Sequence, residues 1–232
     1  MSRRLILIRH GQTTYNATGR MQGHLDTELS EMGYTQAEAA ARLLADKGIT
    51  RILASDLRRA AETARVIGEA LGVPVLSDAR LRETNLGDWQ GRRSVDIDEE
   101  FPGARALWRH DPTWAPPGGE SRVDVARRAR PVIDELMESY PEWNDHAVLI
   151  VAHGGAISAL TCQLLGLEVA QFSMLSGLKN THWSQLTARP RFDPETPLAP
   201  ARFTETNVAE ATWYFDGWNM GARVSGDGGA DI

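Results

Sequence analysis

Hydrophobic and polar positions alternate along the chain in a way that predicts strands separated by helices. Continuous apolar runs of strand length occur at 5–8 and 147–152. Such runs are typical of parallel strands that are buried on both faces. Weaker apolar patterns predict further strands at 50–54, 73–76, 183–187 and 212–215.

Helical periodicity fills most of the intervals between these strands. Helices are predicted at 31–47, 57–71, 121–140 and 156–166. In the second helix Arg59, Glu62 and Glu69 are predicted to face water, and in the third Pro131 is expected to introduce a kink or to mark the true first turn. The alternation predicts an α/β protein, a three-layer α/β/α sandwich around a mostly parallel sheet.

The remaining segments are expected to be loops. Residues 79–120 have weak periodicity and many Gly, Pro and Trp residues, which predicts a long insertion folded over the active site. A Pro-rich loop is expected at 190–200. Residues 1–224 are interpreted as a single domain, and the Gly- and Asp-rich residues 225–232 as a disordered tail.

Composition narrows the classes of function. The net charge of −6 disfavours nucleic-acid backbone as a partner. No membrane association is expected, because no apolar run is long enough for a transmembrane helix. The first apolar run is also too short for a signal peptide, so we expect a cytoplasmic protein. The one cysteine, Cys162, excludes an internal disulfide and is interpreted as a buried thiol. The sequence contains no zinc-ligand spacing, P-loop or dinucleotide fingerprint, so neither a metal nor a cofactor is expected.

Charged and polar residues follow three of the predicted strands. Arg9-His10-Gly11 follows the first strand, and His153-Gly154-Gly155 follows the strand at 147–152. Ser55-Asp56, with Arg58 close behind, follows the strand at 50–54. Because the carboxyl ends of parallel strands meet at one edge of a sheet, we expect these groups to converge.

Two arginines and two histidines at one place suit phosphate chemistry. Guanidinium groups hold a tetrahedral dianion through forked donors that stay charged. Their charge disfavours imidazolium, so His10 can serve as a nucleophile towards phosphorus while His153 stabilises the equatorial oxygens. Glu83 is a candidate proton donor to the leaving alcohol.

Each of these residues, taken alone, has a more common structural interpretation. A histidine after a strand is usually a hydrogen-bonded structural residue, and a helical arginine such as Arg58 or a carboxylate such as Glu83 is usually solvated. Asn16 and Gln22, in a loop containing glycines, are commonly turn-forming or solvated. The repetition of the strand-His-Gly unit within one chain favours the catalytic interpretation.

Four motifs resemble the histidine phosphatase (phosphoglycerate mutase-like) superfamily. They lie at 7–13, 55–64, 83–91 and 152–155, in the order found in that family. The resemblance implies that His10 is phosphorylated, that Arg9, Arg58 and His153 complete the phosphate pocket, and that Glu83 donates a proton and later activates water. It also implies that Asn16, Gln22 and Gly23 contact the phosphate and substrate.

Longer runs resemble the glucosyl-3-phosphoglycerate phosphatases of actinobacteria. These runs lie at 20–23, 25–30, 80–84, 114–116, 118–125 and 218–219. The resemblance implies a metal-independent phosphomonoesterase that converts a sugar-linked phosphoglycerate to glucosylglycerate, and a homodimer. The likeness weakens in the Pro-rich segment 189–206.

Other activities remain open at this point. One alternative is a phosphoglycerate mutase, although only scattered arginines in 92–120 (Arg92, Arg93, Arg105 and Arg109) are available for a second anionic group. A broad-specificity or α-ribazole-type phosphatase would use the same chemistry. A protein that binds phosphorylated ligands without turnover is a third alternative.

Overall fold

A computed structural model describes residues 1–192, 194, 202–204, 207–222 and 224. The predicted disordered tail, 225–232, lies outside the described residues, as does most of the Pro-rich loop at 190–200.

The described strands form one mixed, mostly parallel sheet. They are β1 (Arg3–Arg9), β2 (Ile49–Ala54), β3 (Val75–Ser77), β4 (Ala147–Ala152), β5 (Trp183–Arg189) and β6 (Thr212–Met220). Their order across the sheet is β3-β2-β4-β1-β5-β6. The first four strands are parallel, whereas β5 runs antiparallel to both β1 and β6.

Helices cover both faces of this sheet. They are α1 (Thr14–Ala17), α2 (Glu31–Leu44), α3 (Arg58–Leu71), α4 (Ser94–Glu100), α5 (Ala104–His110), α6 (Arg122–Ser139) and α7 (Gly154–Leu164). Leu5 and Leu7 of β1 pack in one core with α6 and α7, while Ile6 and Ile8 pack in a second core with α2 and α3. Successive side chains of a strand point to opposite faces, so this division confirms the three-layer α/β/α sandwich.

The apolar runs predicted as central strands are the most deeply buried part of the sheet. Every residue from Leu5 to Ile8 and from Ala147 to Val151 has no exposed surface. Cys162, on α7, is buried as expected, and burial raises the pKa of its thiol to about 11.

Pro131 does not mark the first turn of its helix. Helix α6 begins at Arg122 and continues through Pro131. Its start is fixed by a reciprocal cap, in which the Ser121 hydroxyl accepts from the backbone N–H of Asp124 and the Asp124 carboxylate accepts from the backbone N–H of Ser121.

The insertion at 79–120 contains structure that the sequence pattern did not predict. It holds α4 and α5, and its side chains form a small core of Leu86, Trp89 and Ile97 with Met21 of the preceding loop. This core places the insertion over the carboxyl ends of the strands, where it contributes to the wall of the cavity described below. None of the described helices is both long and apolar enough to cross a membrane.

Candidate active site

The ends of β1, β4 and β2 converge as expected. Arg9 is paired with Ala152, and Ala54 with Val151, so the residues that follow these strands emerge side by side. The ring centroids of His10 and His153 lie 5.2 Å apart. Neighbouring strands with matched ends therefore explain why two histidines so far apart in the sequence are in contact.

A cavity of about 330 Å³ opens at this edge of the sheet. Its wall includes six of the residues singled out from the sequence, namely Arg9, His10, Asn16, Gln22, Gly23 and Glu83. His153 is fully buried directly beside His10. The cavity is also lined by residues that the sequence did not assign to the site, among them Arg59, Trp108, Arg109, His110 and Arg122.

The hydrogen bonding of His10 leaves one ring nitrogen available for chemistry. Nδ1 lies 2.7 Å from the carbonyl oxygen of Gly11. Because a carbonyl only accepts, Nδ1 carries the proton and the lone pair is on Nε2. Burial lowers the pKa of His10 well below 6.5, and the charges of Arg59 and Arg9 lower it further, so the ring is held neutral.

His153 is oriented by Ser55. Its Nε2 lies 2.9 Å from the Ser55 hydroxyl, which itself accepts from the backbone N–H of Leu57. This arrangement favours donation from the hydroxyl to Nε2, which leaves the ring proton on Nδ1. Nδ1 is buried without a hydrogen-bond partner among the described residues. Burial, followed by the charge of Arg59, lowers the pKa of His153 well below 6.5.

Two guanidinium groups lie beside the histidine pair. Arg9 donates to the carbonyl of Leu178 (2.5 Å). Arg59 is fully buried and donates to the carbonyls of Leu25 (2.7 Å) and Gly23 (2.8 Å). Burial lowers the pKa of Arg59 to about 10, which leaves it charged at neutral pH. Their positive charge is what a buried phosphate dianion requires.

The structure does not bring Arg58 to the cavity. Its guanidinium faces solvent and forms an ion pair with Glu28 at 2.7 Å, and its backbone N–H donates to Asp26. Two predictions are therefore wrong: Arg58 does not line the phosphate pocket, and Arg59 does not face water. The arginine at the cavity is the next residue in the sequence, Arg59. Neighbouring residues on a helix point about 100° apart, so the one that faces the site is Arg59.

Glu83 is held at the N-terminus of α7. Its carboxylate accepts from the backbone N–H groups of Thr84 (2.8 Å), Gly155 (3.1 Å) and Ala156 (3.0 Å). A Cβ atom on Gly155 would lie 2.5 Å from Glu83 Oε1. Glycine is therefore required at 155 for the carboxylate to approach the helix this closely.

The loop after β1 supplies polar groups from the other side. Asn16 Oδ1 accepts from the backbone N–H of Thr13 (3.1 Å), and Thr13 Oγ1 lies 3.0 Å from Gln22 Oε1. The Nδ2 group of Asn16 is buried without a hydrogen-bond partner among the described residues. Gly23 contributes its carbonyl to Arg59. These contacts order the loop and leave an amide donor at the cavity.

Two of the unassigned wall residues could not be found by sequence reasoning. Arg109 was one of several arginines in a segment without clear periodicity, and Arg122 is the first residue of a helix, where the direction of the side chain depends on tertiary packing. Arg59 did carry a signal, since it lies about one helical turn before the buried Thr63 and two turns before the buried Ile67.

The arrangement is suited to in-line attack on a phosphate ester. A neutral imidazole with a free Nε2 lies next to a second histidine and two cations, and Glu83 lines the same cavity. Within the described part of the chain, no three His, Cys, Asp or Glu side chains come together as metal ligands.

Known proteins resemble this chain in both sequence and fold. The model of the histidine phosphatase superfamily (branch 1) matches residues 5–193. The glucosyl-3-phosphoglycerate phosphatase of Mycobacterium tuberculosis is 51% identical over 231 residues, which cover 97% of this chain and 98% of that protein. A probable phosphoglycerate mutase of Erwinia tasmaniensis is 40% identical over 162 residues, covering 69% of this chain and 74% of that protein.

A solved structure gives the same assignment. Mycobacterial glucosyl-3-phosphoglycerate phosphatase in complex with inorganic phosphate superposes with a TM-score of 0.82 at 49% identity, covering 96% of this chain and all of that chain. The family inferred from the four motifs is thereby confirmed: the chain belongs to the histidine phosphatase superfamily (branch 1).

Proposed function

We propose that this histidine phosphatase removes the phosphate of glucosyl-3-phosphoglycerate, yielding glucosylglycerate and inorganic phosphate, through a phosphohistidine at His10. The observation that carries the mechanism is the neutral His10 ring beside His153, Arg9 and Arg59, whose Nε2 has no hydrogen-bond partner among the described residues. The substrate is supported by relatives of that name that align over nearly the whole chain.

The reaction proceeds in two transfers. In the first, Nε2 of His10 attacks phosphorus opposite the ester oxygen, while Arg9, Arg59 and His153 hold the equatorial oxygens. The negative charge of the bound phosphate ester favours the protonated form of Glu83, and the P–O bond breaks as this carboxyl group gives its proton to the leaving alcohol. In the second, Glu83 takes a proton from water, which attacks the phosphohistidine and releases phosphate. Asn16, Gln22 and Gly23 position the phosphate and substrate, and neither step requires a metal or a cofactor.

The test is phosphate release at neutral pH with EDTA present. Glucosyl-3-phosphoglycerate, 3-phosphoglycerate and p-nitrophenyl phosphate are compared side by side, together with a His10→Ala variant. We expect the glucosylated ester to be strongly preferred and the variant to be inactive on all three. Comparable slow hydrolysis of all three esters would refute glucosyl-3-phosphoglycerate as the substrate. Near-normal activity of the His10→Ala variant would refute the phosphohistidine mechanism.

A phosphoglycerate mutase is the second candidate. The resemblance to the probable mutase of Erwinia tasmaniensis favours it, although that alignment covers less of the chain. A mutase has to return phosphate to a reoriented glycerate instead of to water. Conversion of 3- to 2-phosphoglycerate without net phosphate release would establish this alternative.

We also propose that the enzyme is a cytoplasmic homodimer. The dimer is supported by β6, which is an edge strand of the described sheet and exposes Tyr214 and Phe215. Unpaired edge strands with apolar side chains are common sites of association. Sedimentation equilibrium at micromolar concentration would test the dimer, and fractionation of the producing cells would test the location.

A further inference from the structure

The arginines of the segment 92–122 differ in how their charges are neutralised. Arg92, Arg93 and Arg105 form ion pairs with Glu100, Asp96 and Asp98, respectively. Arg109 and Arg122 form no ion pair with a carboxylate among the residues that the structure describes, and both line the cavity. The insertion and the start of α6 therefore place two cations at the cavity wall that have no salt bridge among the described residues.

Arg122 is the more constrained of the two. It is partly buried, and its guanidinium carbon lies 5.5 Å from the centroid of the Trp108 ring. Burial lowers the pKa of Arg122; the charge of Glu83 opposes this and raises it, and the charge of Arg109 lowers it by a smaller amount. A partly buried guanidinium without a salt bridge is costly, and an anion that binds against it lowers that cost.

The phosphate does not account for these cations. The phosphate end of the cavity already contains Arg9 and Arg59 beside the two histidines. Arg109 comes from α5 in the insertion and Arg122 from the start of α6, so they approach the cavity from different elements. Glu83, which is placed to protonate the leaving oxygen, interacts electrostatically with Arg122. A second anion next to the leaving group fits this geometry.

We propose that Arg122, with Arg109, forms a carboxylate subsite that binds the C1 carboxylate of a substrate built on 3-phosphoglycerate. This inference rests on the proposed function and deepens it. Only O3, C3 and C2 separate the phosphorus from the C1 carboxylate, so the two anionic ends of such a substrate lie close together. A planar guanidinium binds a carboxylate through two parallel hydrogen bonds, and the cation–π contact with Trp108 restricts the orientation of Arg122.

The test compares two small esters that differ at this one group. 3-Phosphoglycerate carries the carboxylate, and glycerol 3-phosphate carries a neutral hydroxymethyl group in its place. We expect wild-type enzyme to bind 3-phosphoglycerate about 10- to 100-fold more tightly, measured as inhibition constants against p-nitrophenyl phosphate hydrolysis. In Arg122→Gln this preference should fall to about threefold or less, while Arg122→Lys should retain part of it.

A matched control lies on the same helix. Arg127 is exposed and forms an ion pair with Asp124, so Arg127→Gln should keep the wild-type preference. Any variant that is too slow to assay is compared by calorimetric binding of the two esters. The subsite is refuted if wild-type enzyme does not distinguish the two esters, or if Arg122→Gln distinguishes them as well as wild type does.

The same experiment separates this inference from the proposed substrate. If glucosyl-3-phosphoglycerate is not hydrolysed but the preference for 3-phosphoglycerate depends on Arg122, the substrate is wrong and the carboxylate subsite remains. If the glucosylated ester is hydrolysed well and the preference does not depend on Arg122, the subsite is wrong and the proposed function remains.

Discussion

Two adjacent arginines at the start of α3 lie in opposite environments. Arg59 is buried against the cavity, whereas Arg58 is paired with Glu28 at the surface. We expect Arg59→Gln to lower kcat/KM by about 10²- to 10³-fold, because one of the fixed charges that hold the phosphate is lost. Arg58→Gln should change kcat/KM by about twofold or less, since this side chain does not line the cavity and its exposed ion pair with Glu28 contributes only roughly 0–1 kcal/mol to stability.

The comparison is made by steady-state kinetics on one phosphate ester. Arg59→Lys distinguishes charge from geometry, since it keeps the charge and loses the forked donors. Circular dichroism of each variant establishes that it is folded. Equal losses of activity in Arg58→Gln and Arg59→Gln would contradict the assignment of Arg59 to the phosphate.

The buried histidine pair makes stability depend on pH. The pKa values of His10 and His153 are held well below 6.5 in the folded protein, chiefly by burial. As pH falls below about 6.5, the unfolded chain takes up two protons that the native state does not, so the free energy of unfolding decreases. The slope should approach about 2.7 kcal/mol per pH unit from this pair. Well above pH 6.5 the pair adds no pH dependence, because the histidines are then neutral in both states.

Urea denaturation between pH 5 and 7.5 measures this slope. His10→Asn should reduce the slope by about 1.4 kcal/mol per pH unit, because one of the two protons no longer contributes. The exposed His146 provides the control, since His146→Gln should leave the slope near the wild-type value. A His10→Asn slope equal to that of wild type would show that burial does not perturb this ring.

Single residues were predictable from the sequence where the backbone determines their direction. His10 and His153 directly follow buried strands, so their position at the edge of the sheet follows from the apolar runs. The choice between Arg58 and Arg59 depends on the rotation of a helix about its axis, which the stripe of buried residues could have indicated. Arg122 could not be predicted, because its direction is set by the packing of Trp108 from a separate element.

At the scale of elements, α2 packs closely on the turn that follows β1. A Cβ atom added to Gly33 would lie 2.2 Å from the carbonyl oxygen of Gln12. Alanine favours a helix over glycine by roughly 1 kcal/mol, but here it would force the turn away from the helix. We expect Gly33→Ala to destabilise the protein by about 1–3 kcal/mol and, by displacing His10, to lower kcat/KM at least about tenfold.

Thermal unfolding and kinetics of Gly33→Ala test this contact. Thr35→Ala, on the exposed side of the same helix, is the control for helix propensity and should leave activity unchanged. A Gly33→Ala protein as stable and as active as Thr35→Ala would mean that the turn can move away from α2 without consequence for the site.

Elements were predictable in proportion to the length and regularity of their patterns. β1 and β4 were found because both faces of each strand are buried, so apolar residues are continuous. α4 and α5 have seven residues each, which is too short for a helical stripe to emerge. Their position is set instead by packing around Trp89, which no local pattern reveals.

At the scale of the whole molecule, one sheet connects the early and late parts of the chain. β1 lies between β4 and β5, and β6 follows β5 at the edge. β5 and β6 therefore belong to the same sheet as β1 and β4, whose ends form the site. This supports the proposal that residues 1–224 form one domain. The mostly parallel order was predictable from the alternation of helices and strands. The antiparallel pairing of β5 and β6 was not, because periodicity does not specify strand direction.

The pairing of β1 with β4 also determines when the site can form during folding. The two histidines of the cavity, His10 and His153, follow strands that lie far apart in the chain and next to each other in the sheet. During synthesis β1 is made early, but it cannot pair with β4 until the chain has been extended beyond Ala147–Ala152. Helices such as α2 and α3 can form from local contacts, but closing so long a loop is slow. We therefore expect hydrolytic activity to appear late in folding, in a single step, when β1 and β4 pair and bring the two histidines together.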